Sequence, residues 1–329
     1  MDPEALKRDL HGCYVTVPTL FRDPELGLDL PAMRRHVRFL TDNGLNGANA
    51  VLLAGGAAGD FSTMTFTERV AVAEAVLAEA NGKVPVAMGA QTTSTRELEQ
   101  LARAAASLGV SFIQVSCPFY FAHTEDDFFA HVAAAADAAT IGIIVYNTFW
   151  TSAALSFRLV ERLLAIPAVV GLKWACPRTD AMEFEDVIAS FASRLTIIDN
   201  HLQFVTSHIL GARGFEVHLC NFWPEWGVRL MENLTAGDYV AVQRALVCEA
   251  LPFYKLWTEI ERDFTSGDGY LDKLCMELVG LPSSRCRPPT RDIRGRFSER
   301  AREMLRRIGA PRVMDPSRIS QETAAAGSS

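Results

Sequence analysis

The chain lacks the short motifs that usually identify a metal protein, a nucleotide-binding protein or a disulfide-stabilised protein. Its seven cysteines are scattered and form no C-x-x-C pair, so we interpret them as core thiols in a reducing compartment. No carboxylate–histidine spacing supports a zinc site, and we interpret His201, His208 and His218 as packed or hydrogen-bonded residues. The G-x-G-x-x-G fingerprint and the P-loop are both missing. We therefore expect no metal site and no dinucleotide or P-loop nucleotide site.

Signals for export, membrane insertion and nucleic-acid binding are also missing. The N-terminus, Met1-Asp2-Pro3-Glu4, has no basic region followed by an apolar run, and no apolar stretch reaches membrane-spanning length. The formal net charge of −7 argues against nucleic acid or an anionic membrane as the main partner. It does not exclude a small anionic substrate, because local groups decide such binding. We expect a cytoplasmic protein with a small-molecule substrate.

The chain does have a regular alternation of strand-like and helix-like segments. Hydrophobic residues make up 49% of its 329 residues and charged residues 22%, which is enough for a sizeable core. The predicted strands cover residues 14–17, 49–53, 84–88, 112–115, 143–146, 169–173, 195–198 and 215–219. A helix-like segment follows each of them, and two helices begin at capping-box spacings, at Thr65 and Ser94. Eight such units predict a (β/α)8 barrel, with a doubly wound sheet as the alternative.

The last third of the chain has a different pattern. Beyond residue 236 the apolar spacing is purely helical, with predicted helices at 238–260, 271–279 and 298–308. We therefore divide the chain into a barrel over residues 1–236, a C-terminal helical extension over 237–312, and a small, polar, disordered tail over 313–329.

One strand–helix–strand unit places two chemically useful side chains together. The strand 143–146 ends on Tyr146 and the next ends on Lys173. A right-handed crossover sets such strands side by side, so the two residues are predicted at the same end of the sheet, about 5 Å apart. Lys173, within an apolar run, is either a partly desolvated, neutral amine nucleophile or a lysine that has entered solvent. Tyr146 either moves protons for that amine or only covers the barrel mouth.

Two loops at the same end of the predicted barrel have alternative interpretations. The glycine-rich run 55–60 follows a strand and precedes a helix, so its N–H groups could bind a carboxylate or phosphate; the alternative is an ordinary tight turn. The aromatic run Phe119-Tyr120-Phe121 is either a mouth or subunit-contact cluster, or an apolar lid without chemistry.

At these residues the sequence resembles the dihydrodipicolinate synthase/N-acetylneuraminate lyase family of class I aldolases. The resemblance runs from about residue 12 to the helices after residue 236, and four short motifs match in the right order. They are Gly56-Ala57-Ala58-Gly59-Asp60, Tyr146-Asn147, Gly171-Leu172-Lys173 and Gly211-Ala212-Arg213-Gly214.

The resemblance implies an enzyme that forms a Schiff base between Lys173 and a 2-oxo acid such as pyruvate. It further implies that Tyr146 transfers protons, that Tyr120 reaches a neighbouring subunit's site, and that the protein is a homotetramer built as a dimer of dimers. The imine itself supplies the electrophilic assistance, so no cofactor is expected. The substrate-binding residues expected on this basis are Gly56, Ala57, Ala58, Gly59, Asn147, Thr151 and Val217.

Two departures from the family pattern shape the functional expectation. Ala57-Ala58 stands where the family usually has hydroxyl residues, which puts the proton relay in doubt. Thr151 occupies the place of an arginine in the lysine-pathway synthase, so a second-substrate carboxylate would lose a bidentate partner. We therefore expect a lyase outside lysine biosynthesis.

Nearby aromatic residues suggest a bulky or less polar aldehyde portion, unless they only pack against the C-terminal helices. They are Phe149, Trp150, Phe222, Trp223 and Trp226. One alternative is a hydratase-aldolase that releases pyruvate from an aromatic substrate. Another is a non-catalytic 2-oxo acid-binding or regulatory protein.

Overall fold

A closed barrel of eight parallel strands forms the centre of the computed structural model, which describes residues 2–150, 154–177 and 180–315. In chain order the strands are β1 (Gly12–Val17), β2 (Phe21–Arg22), β3 (Gly27–Leu28), β4 (Ala50–Ala54), β5 (Val86–Gly89), β6 (Phe112–Ser116), β7 (Gly142–Thr148), β8 (Val169–Ala175), β9 (Thr196–Asp199) and β10 (Gly214–Glu216). The pair β2–β3 is a separate antiparallel hairpin, and the other strands close because β1 pairs with both β4 and β10. The barrel prediction is confirmed, and the doubly wound sheet is excluded.

The strands form where the sequence has short apolar, β-branched runs, because each barrel strand is buried on both faces. Seven predicted strands match to within a few residues. The eighth was predicted too long: β10 ends at Glu216, and a 3-10 turn (His218–Asn221) follows. The Asn221 side chain holds this turn over the barrel mouth by donating to the Thr16 carbonyl (3.0 Å) and to Asp272 (3.0 Å).

Helices alternate with the strands and cover the outside of the barrel. They are α1 (Pro3–Asp9), α2 (Leu30–Asp42), α3 (Phe66–Ala80), α4 (Thr95–Leu108), α5 (Glu125–Ala138), α6 (Phe157–Leu163), α7 (Ala181–Phe191), α8 (Phe204–Leu210) and α9 (Pro224–Ala236). The reciprocal capping box of Thr65 and Glu68 is confirmed at α3. At α4 the capping box is only half formed, because Ser94 caps the Glu97 N–H while the Glu97 carboxylate accepts from Thr92 instead.

The short helix α1, which the sequence pattern did not predict, closes the amino-terminal end of the barrel. Leu10 is buried in the cluster that fills the barrel interior, and Leu6 packs against it. A Cβ added at Gly171 of β8 would lie 2.5 Å from Leu10 Cδ2. A side chain at that position would therefore displace Leu10. The end of α1 thus packs closely against β8, and the cavity of the barrel opens at the opposite end.

The C-terminal extension packs over that opposite end. It contains α10 (Tyr239–Ala245), α11 (Leu251–Asp263), α12 (Tyr270–Leu278) and α13 (Arg294–Arg307). A five-residue π-helix (Leu246–Ala250) separates α10 from α11, where one continuous helix was predicted. Pro252 explains the change, because proline has no N–H to donate and its ring excludes the carbonyl four residues earlier, that of Cys248.

The end of the described chain differs in part from the predicted tail. Residues 313–315 are placed against the extension, and the Met314 N–H donates to the Leu278 carbonyl (2.9 Å). Residues 316–329, the rest of the predicted tail, lie outside the described residues. None of the helices within the described ranges combines the length and apolar composition that a bilayer span needs.

Candidate active site

A cavity of about 590 Å³ opens at the carboxyl ends of the barrel strands, beneath the C-terminal extension. This is the end at which barrel enzymes carry their chemistry. The strands and their loops contribute Thr16, Ala57, Ala58, Phe61, Ser62, Gln114, Phe119, Tyr146, Trp150, Lys173, Asn200, Glu216 and His218. The extension contributes Tyr254, Trp257, Thr258, Glu261, Ser266, Gly267 and Asp268.

Lys173 and Tyr146 lie together in this cavity, as the sequence predicted. The two residues are register partners on β8 and β7. The ammonium nitrogen of Lys173 lies 4.5 Å from the centre of the Tyr146 ring and 5.2 Å from that of Tyr14. The Lys173 side chain is only 5% exposed, so it has not entered solvent.

The nearest polar partner of Lys173 is Glu216, to which the sequence analysis assigned no role. Lys173 Nζ donates to Glu216 Oε2 at 2.6 Å, and the other carboxylate oxygen accepts from Thr16 Oγ1 at 3.0 Å. Lys173 pairs in register with Ile198, which pairs with Gly214. Glu216 lies two residues beyond Gly214 on the same face of the strand. Because alternate barrel strands fill the same layer, the two side chains meet inside the barrel.

The surroundings of Lys173 are less apolar than its sequence neighbours predict. A carboxylate oxygen of Glu216 lies 2.6 Å from its nitrogen, and the rings of Tyr14 and Tyr146 flank it. The amine is therefore both buried and paired with a carboxylate.

The hydroxyl of Tyr146 is oriented by a residue of the neighbouring loop. Tyr146 Oη accepts a hydrogen bond from Asn200 Nδ2 at 3.0 Å. Burial and the nearby negative charge of Glu216 raise the pKa of the Tyr146 phenol well above 10. At neutral pH this residue is therefore a protonated phenol, which can donate a proton or hydrogen bond but is a poor proton acceptor.

A second group of ionisable residues flanks Glu216 on the side of the extension. His218 Nδ1 lies 3.1 Å from Asp272, and His218 Nε2 lies 3.9 Å from Glu216 Oε1. Burial lowers the pKa of His218, but the charges of Asp272, Asp268 and Glu216 outweigh it and raise that pKa to about 9. Burial also raises the pKa of Asp268 to about 6, against the opposing effect of His218. The cavity thus has a cationic imidazolium between carboxylates.

The glycine-rich loop lies at the cavity, as predicted, and Ala57 and Ala58 line it. Their N–H groups donate to no backbone carbonyl or side chain among the described residues. A Cβ at Gly56 would lie 2.5 Å from Leu53 Cδ2, and one at Gly59 would lie 2.9 Å from the Gly56 nitrogen. These two glycines therefore shape the turn and do not face the cavity.

Of the other predicted site residues, Asn147, Val217 and Tyr120 are not among those that line the cavity. The buried Asn147 amide donates to the Ala175 carbonyl and accepts from the Leu155 N–H, both at 2.9 Å. Val217 is buried, and its N–H donates to the Tyr14 carbonyl. Neither lines the cavity. Tyr120 is 87% exposed, with φ +88°, so one subunit does not bring it to its own Lys173. Thr151 lies outside the described residues.

The aromatic wall of the cavity differs from the predicted one. Of the five aromatic residues named from the sequence, only Trp150 is among the described residues that line the cavity. The Phe149 ring packs edge-on against the Trp150 ring, with 5.0 Å between their centres. Phe222, Trp223 and Trp226 are buried in the core, so packing accounts for them. The aromatic residues that join Trp150 are Phe61, Phe119, Tyr254 and Trp257. The last two come from the extension, whose position the sequence did not reveal.

Comparisons with known proteins agree with this architecture. A family model described as the dihydrodipicolinate synthetase family matches residues 10–308. The 4-hydroxy-tetrahydrodipicolinate synthase of Methanopyrus kandleri is 30% identical over 306 residues, which are 91% of this chain and 97% of that protein.

Solved structures show the same fold at lower identity. Dihydrodipicolinate synthase from Oceanobacillus iheyensis superposes with a TM-score of 0.82 at 21% identity, covering 93% of this chain and 98% of the other. The prophage protein YagE from E. coli K12, solved in complex with pyruvate, gives 0.80 at 22% identity, covering 91% and 99%. The chain thus belongs to the dihydrodipicolinate synthetase family, whose members are class I aldolases and lyases that form a Schiff base through a lysine.

Proposed function

We propose that the chain is a lyase that forms a Schiff base with a 2-oxo acid, and that Lys173 is the covalent nucleophile. The observation that carries the proposal is the position of its amine in the cavity at the carboxyl ends of the strands, beside Tyr146. An amine there can attack a carbonyl that enters from the mouth, whereas an amine exposed on the surface would lack the cavity to hold a substrate.

The reaction follows from what the imine can do. Lys173 adds to the keto carbon of the substrate and water leaves, which gives a protonated imine. The imine withdraws electrons from the adjoining carbon, so a carbon–carbon bond can break, or a hydroxyl group can leave, further along the chain. Tyr146, protonated and oriented by Asn200, donates a hydrogen bond or proton to the oxygen on which negative charge develops.

The carboxylate of the 2-oxo acid is proposed to bind at the glycine-rich loop. The N–H groups of Ala57 and Ala58 are the proposed donors to this carboxylate. Backbone N–H groups can bind a carboxylate alone, although the alanine side chains have no hydroxyl group. The proton relay must then come from residues outside the loop.

The other half of the substrate is proposed to be aromatic or otherwise apolar. Trp150, Trp257, Phe61 and Phe119 are among the residues that line the cavity. A hydratase-aldolase that releases pyruvate from an aromatic substrate fits this wall.

We propose that this chain does not act in lysine biosynthesis, although the Methanopyrus kandleri relative is named 4-hydroxy-tetrahydrodipicolinate synthase. No arginine is among the described residues that line the cavity. A second substrate with its own carboxylate would therefore meet only Lys173 and His218 as cations. A homotetramer and a cytoplasmic location complete the proposal, and both rest on the family alone.

The test is trapping of the imine. The protein is incubated with pyruvate and with a panel of other 2-oxo acids, reduced with borohydride, digested and analysed by mass spectrometry. We expect an adduct on the peptide that contains Lys173, and none in a folded Lys173→Gln variant. Absence of any adduct over the panel would favour the non-catalytic binding protein. A second assay of pyruvate release from aromatic and aliphatic aldol adducts would then identify the reaction.

A further inference from the structure

Glu216 is the residue whose position the proposed mechanism does not yet explain. It is a carboxylate with a side chain only 5% exposed, at the end of a barrel strand, and its oxygen contacts the nitrogen that would become the imine. A buried charge of this kind is unfavourable unless it is paired and hydrogen-bonded. Both conditions are met here, by Lys173 on one oxygen and Thr16 on the other.

Imine formation needs a group that both accepts and donates protons at this nitrogen. An ammonium group has no free electron pair, so a base must remove a proton before Lys173 can attack. The carbinolamine that follows loses its hydroxyl as water only when an acid protonates it. Family members are expected to use hydroxyl residues for proton transfer, and Ala57-Ala58 provides none.

Tyr146 alone is poorly suited to the first of these steps. The pKa of its phenol is raised well above 10. The phenol therefore stays protonated at neutral pH and is a poor acceptor for the ammonium proton. Its ring face, rather than its hydroxyl, is the part shown in contact with Lys173. Glu216 is the group already hydrogen-bonded to that nitrogen, at 2.6 Å.

We propose that Glu216 is a catalytic acid–base residue that transfers protons between Lys173 and the substrate oxygen during imine formation. The Glu216 carboxylate takes one proton from the ammonium group, which frees the electron pair that forms the C–N bond. The resulting carboxylic acid protonates the carbinolamine hydroxyl, which leaves as water and restores the carboxylate. In balance, the ammonium group and the keto group give a protonated imine and one water. This inference rests on the proposed function, because it assumes that Lys173 forms the imine.

Thr16 and His218 set the direction of the carboxylate in this proposal. The Thr16 hydroxyl holds Oε1 at 3.0 Å, so Oε2 points to Lys173. His218, paired with Asp272, lies 3.9 Å from Oε1 and places a positive charge beside it. The cavity is thus built so that one carboxylate oxygen is held and the other is left for the reacting nitrogen.

The experiment compares the rate of imine trapping with pyruvate in wild type and in the Glu216→Gln variant at neutral pH. Glutamine keeps the shape and an oxygen acceptor but cannot take the proton. We expect the trapping rate to fall by about 10²–10³-fold, while the adduct still accumulates on Lys173 in long incubations. The opposite sign is expected if Glu216 only keeps Lys173 charged, because its removal would then free the amine and speed trapping.

Two further variants keep the outcome interpretable. Glu216→Asp retains a carboxylate, and we expect a trapping rate at least about tenfold above that of the glutamine variant. Glu74→Gln removes an exposed carboxylate on α3, outside the cavity lining, and we expect a rate within about twofold of wild type. An unchanged or faster rate in Glu216→Gln, or equal rates in the aspartate and glutamine variants, would overturn the inference while leaving the lyase proposal intact. No adduct in wild type would instead refute the lyase proposal itself.

Discussion

Lys273 Nζ lies 2.7 Å from Asp60 Oδ2, an ion pair that joins residues 213 positions apart in the chain. Asp60 ends the glycine-rich loop, and Lys273 belongs to α12 of the extension. Both side chains are 5% exposed or less. Lys273 also faces the Phe21 ring at 4.7 Å. The extension therefore holds the proposed carboxylate-binding loop in place.

Breaking this pair should destabilise the protein and weaken substrate binding together. In Lys273→Met the Asp60 carboxylate keeps its buried position without its cation, which costs about 3–5 kcal/mol of unfolding free energy. Chemical denaturation measures the loss, and the KM for the 2-oxo acid should rise with it. Lys255→Met, an exposed change on α11, is the control and should shift stability by no more than about 0.5 kcal/mol. Equal stability of the two variants would contradict the prediction.

The second prediction concerns stability at alkaline pH. The pKa of His218 is about 9 in the folded protein and 6.5 ordinarily, so its protonated form stabilises the fold fully below pH 6.5. This contribution, on the order of 3 kcal/mol, is lost as pH rises through 9. Chemical denaturation between pH 6 and pH 10 should show that the unfolding free energy of wild type falls by about 3 kcal/mol more than that of His218→Gln. Parallel stability curves for the two proteins would show that the imidazolium contributes nothing.

The third prediction concerns the two alanines of the loop. If Glu216 transfers the protons, the hydroxyls added by Ala57→Thr combined with Ala58→Thr should not assist the reaction. Ala58 is 2% exposed, so the added atoms should destabilise the protein by about 1–3 kcal/mol through overpacking. Turnover with the true substrate should not rise. A tenfold or larger rise in kcat would mean that the missing hydroxyls limit the reaction.

The fourth prediction separates substrate size from imine chemistry. Trp150 lines the mouth and lies edge-on to the Tyr146 ring at 6.1 Å. Trp150→Ala should lower kcat/KM for aromatic substrates by about tenfold or more, since burial of an aromatic group against it is lost. Pyruvate trapping should stay within about twofold of wild type. Ile209→Ala removes an apolar side chain that is 59% exposed and lies outside the cavity lining, and should change neither quantity.

The fifth prediction tests whether Tyr120 acts between subunits. Its side chain is 87% exposed and is not among the residues that line the cavity of its own chain. Tyr120→Phe and Lys173→Gln should each be nearly inactive alone. After subunit exchange, mixed oligomers should recover activity, because one subunit offers an intact Lys173 and its neighbour an intact Tyr120. Purification over two different affinity tags, one on each variant, confirms the mixing, and failure to recover activity in mixed oligomers would place Tyr120 outside the neighbouring site.

The barrel and the meeting of Tyr146 with Lys173 could be predicted because local patterns determine them. Apolar β-branched runs identify strands buried on both faces, and the handedness of the crossover makes consecutive strands neighbours. Helix α1 was missed because its buried partners, Leu6 and Leu10, are too few to make a periodic pattern. The π-helix was missed because the periodicity around Pro252 continues through it.

Glu216 escaped prediction because its partner is remote in sequence and lies on β8, two strands away in the barrel. The signal was nonetheless present: a carboxylate inside the apolar run Phe215-Glu216-Val217 conflicts with burial on both faces. Such local conflicts are typical of functional positions. Trp257 and Asp268 carried no such signal, since only tertiary packing brings the extension over the barrel mouth.

The π-helix Leu246–Ala250 makes this part of the extension tolerant of a one-residue change in chain length. Its wider turn holds one residue more than an α-helical turn, so loss of one residue there would give a regular α-helical turn with little rotation of α11. Tyr254 and Trp257 would keep facing the cavity. Relatives with and without this residue can therefore share the same cavity wall.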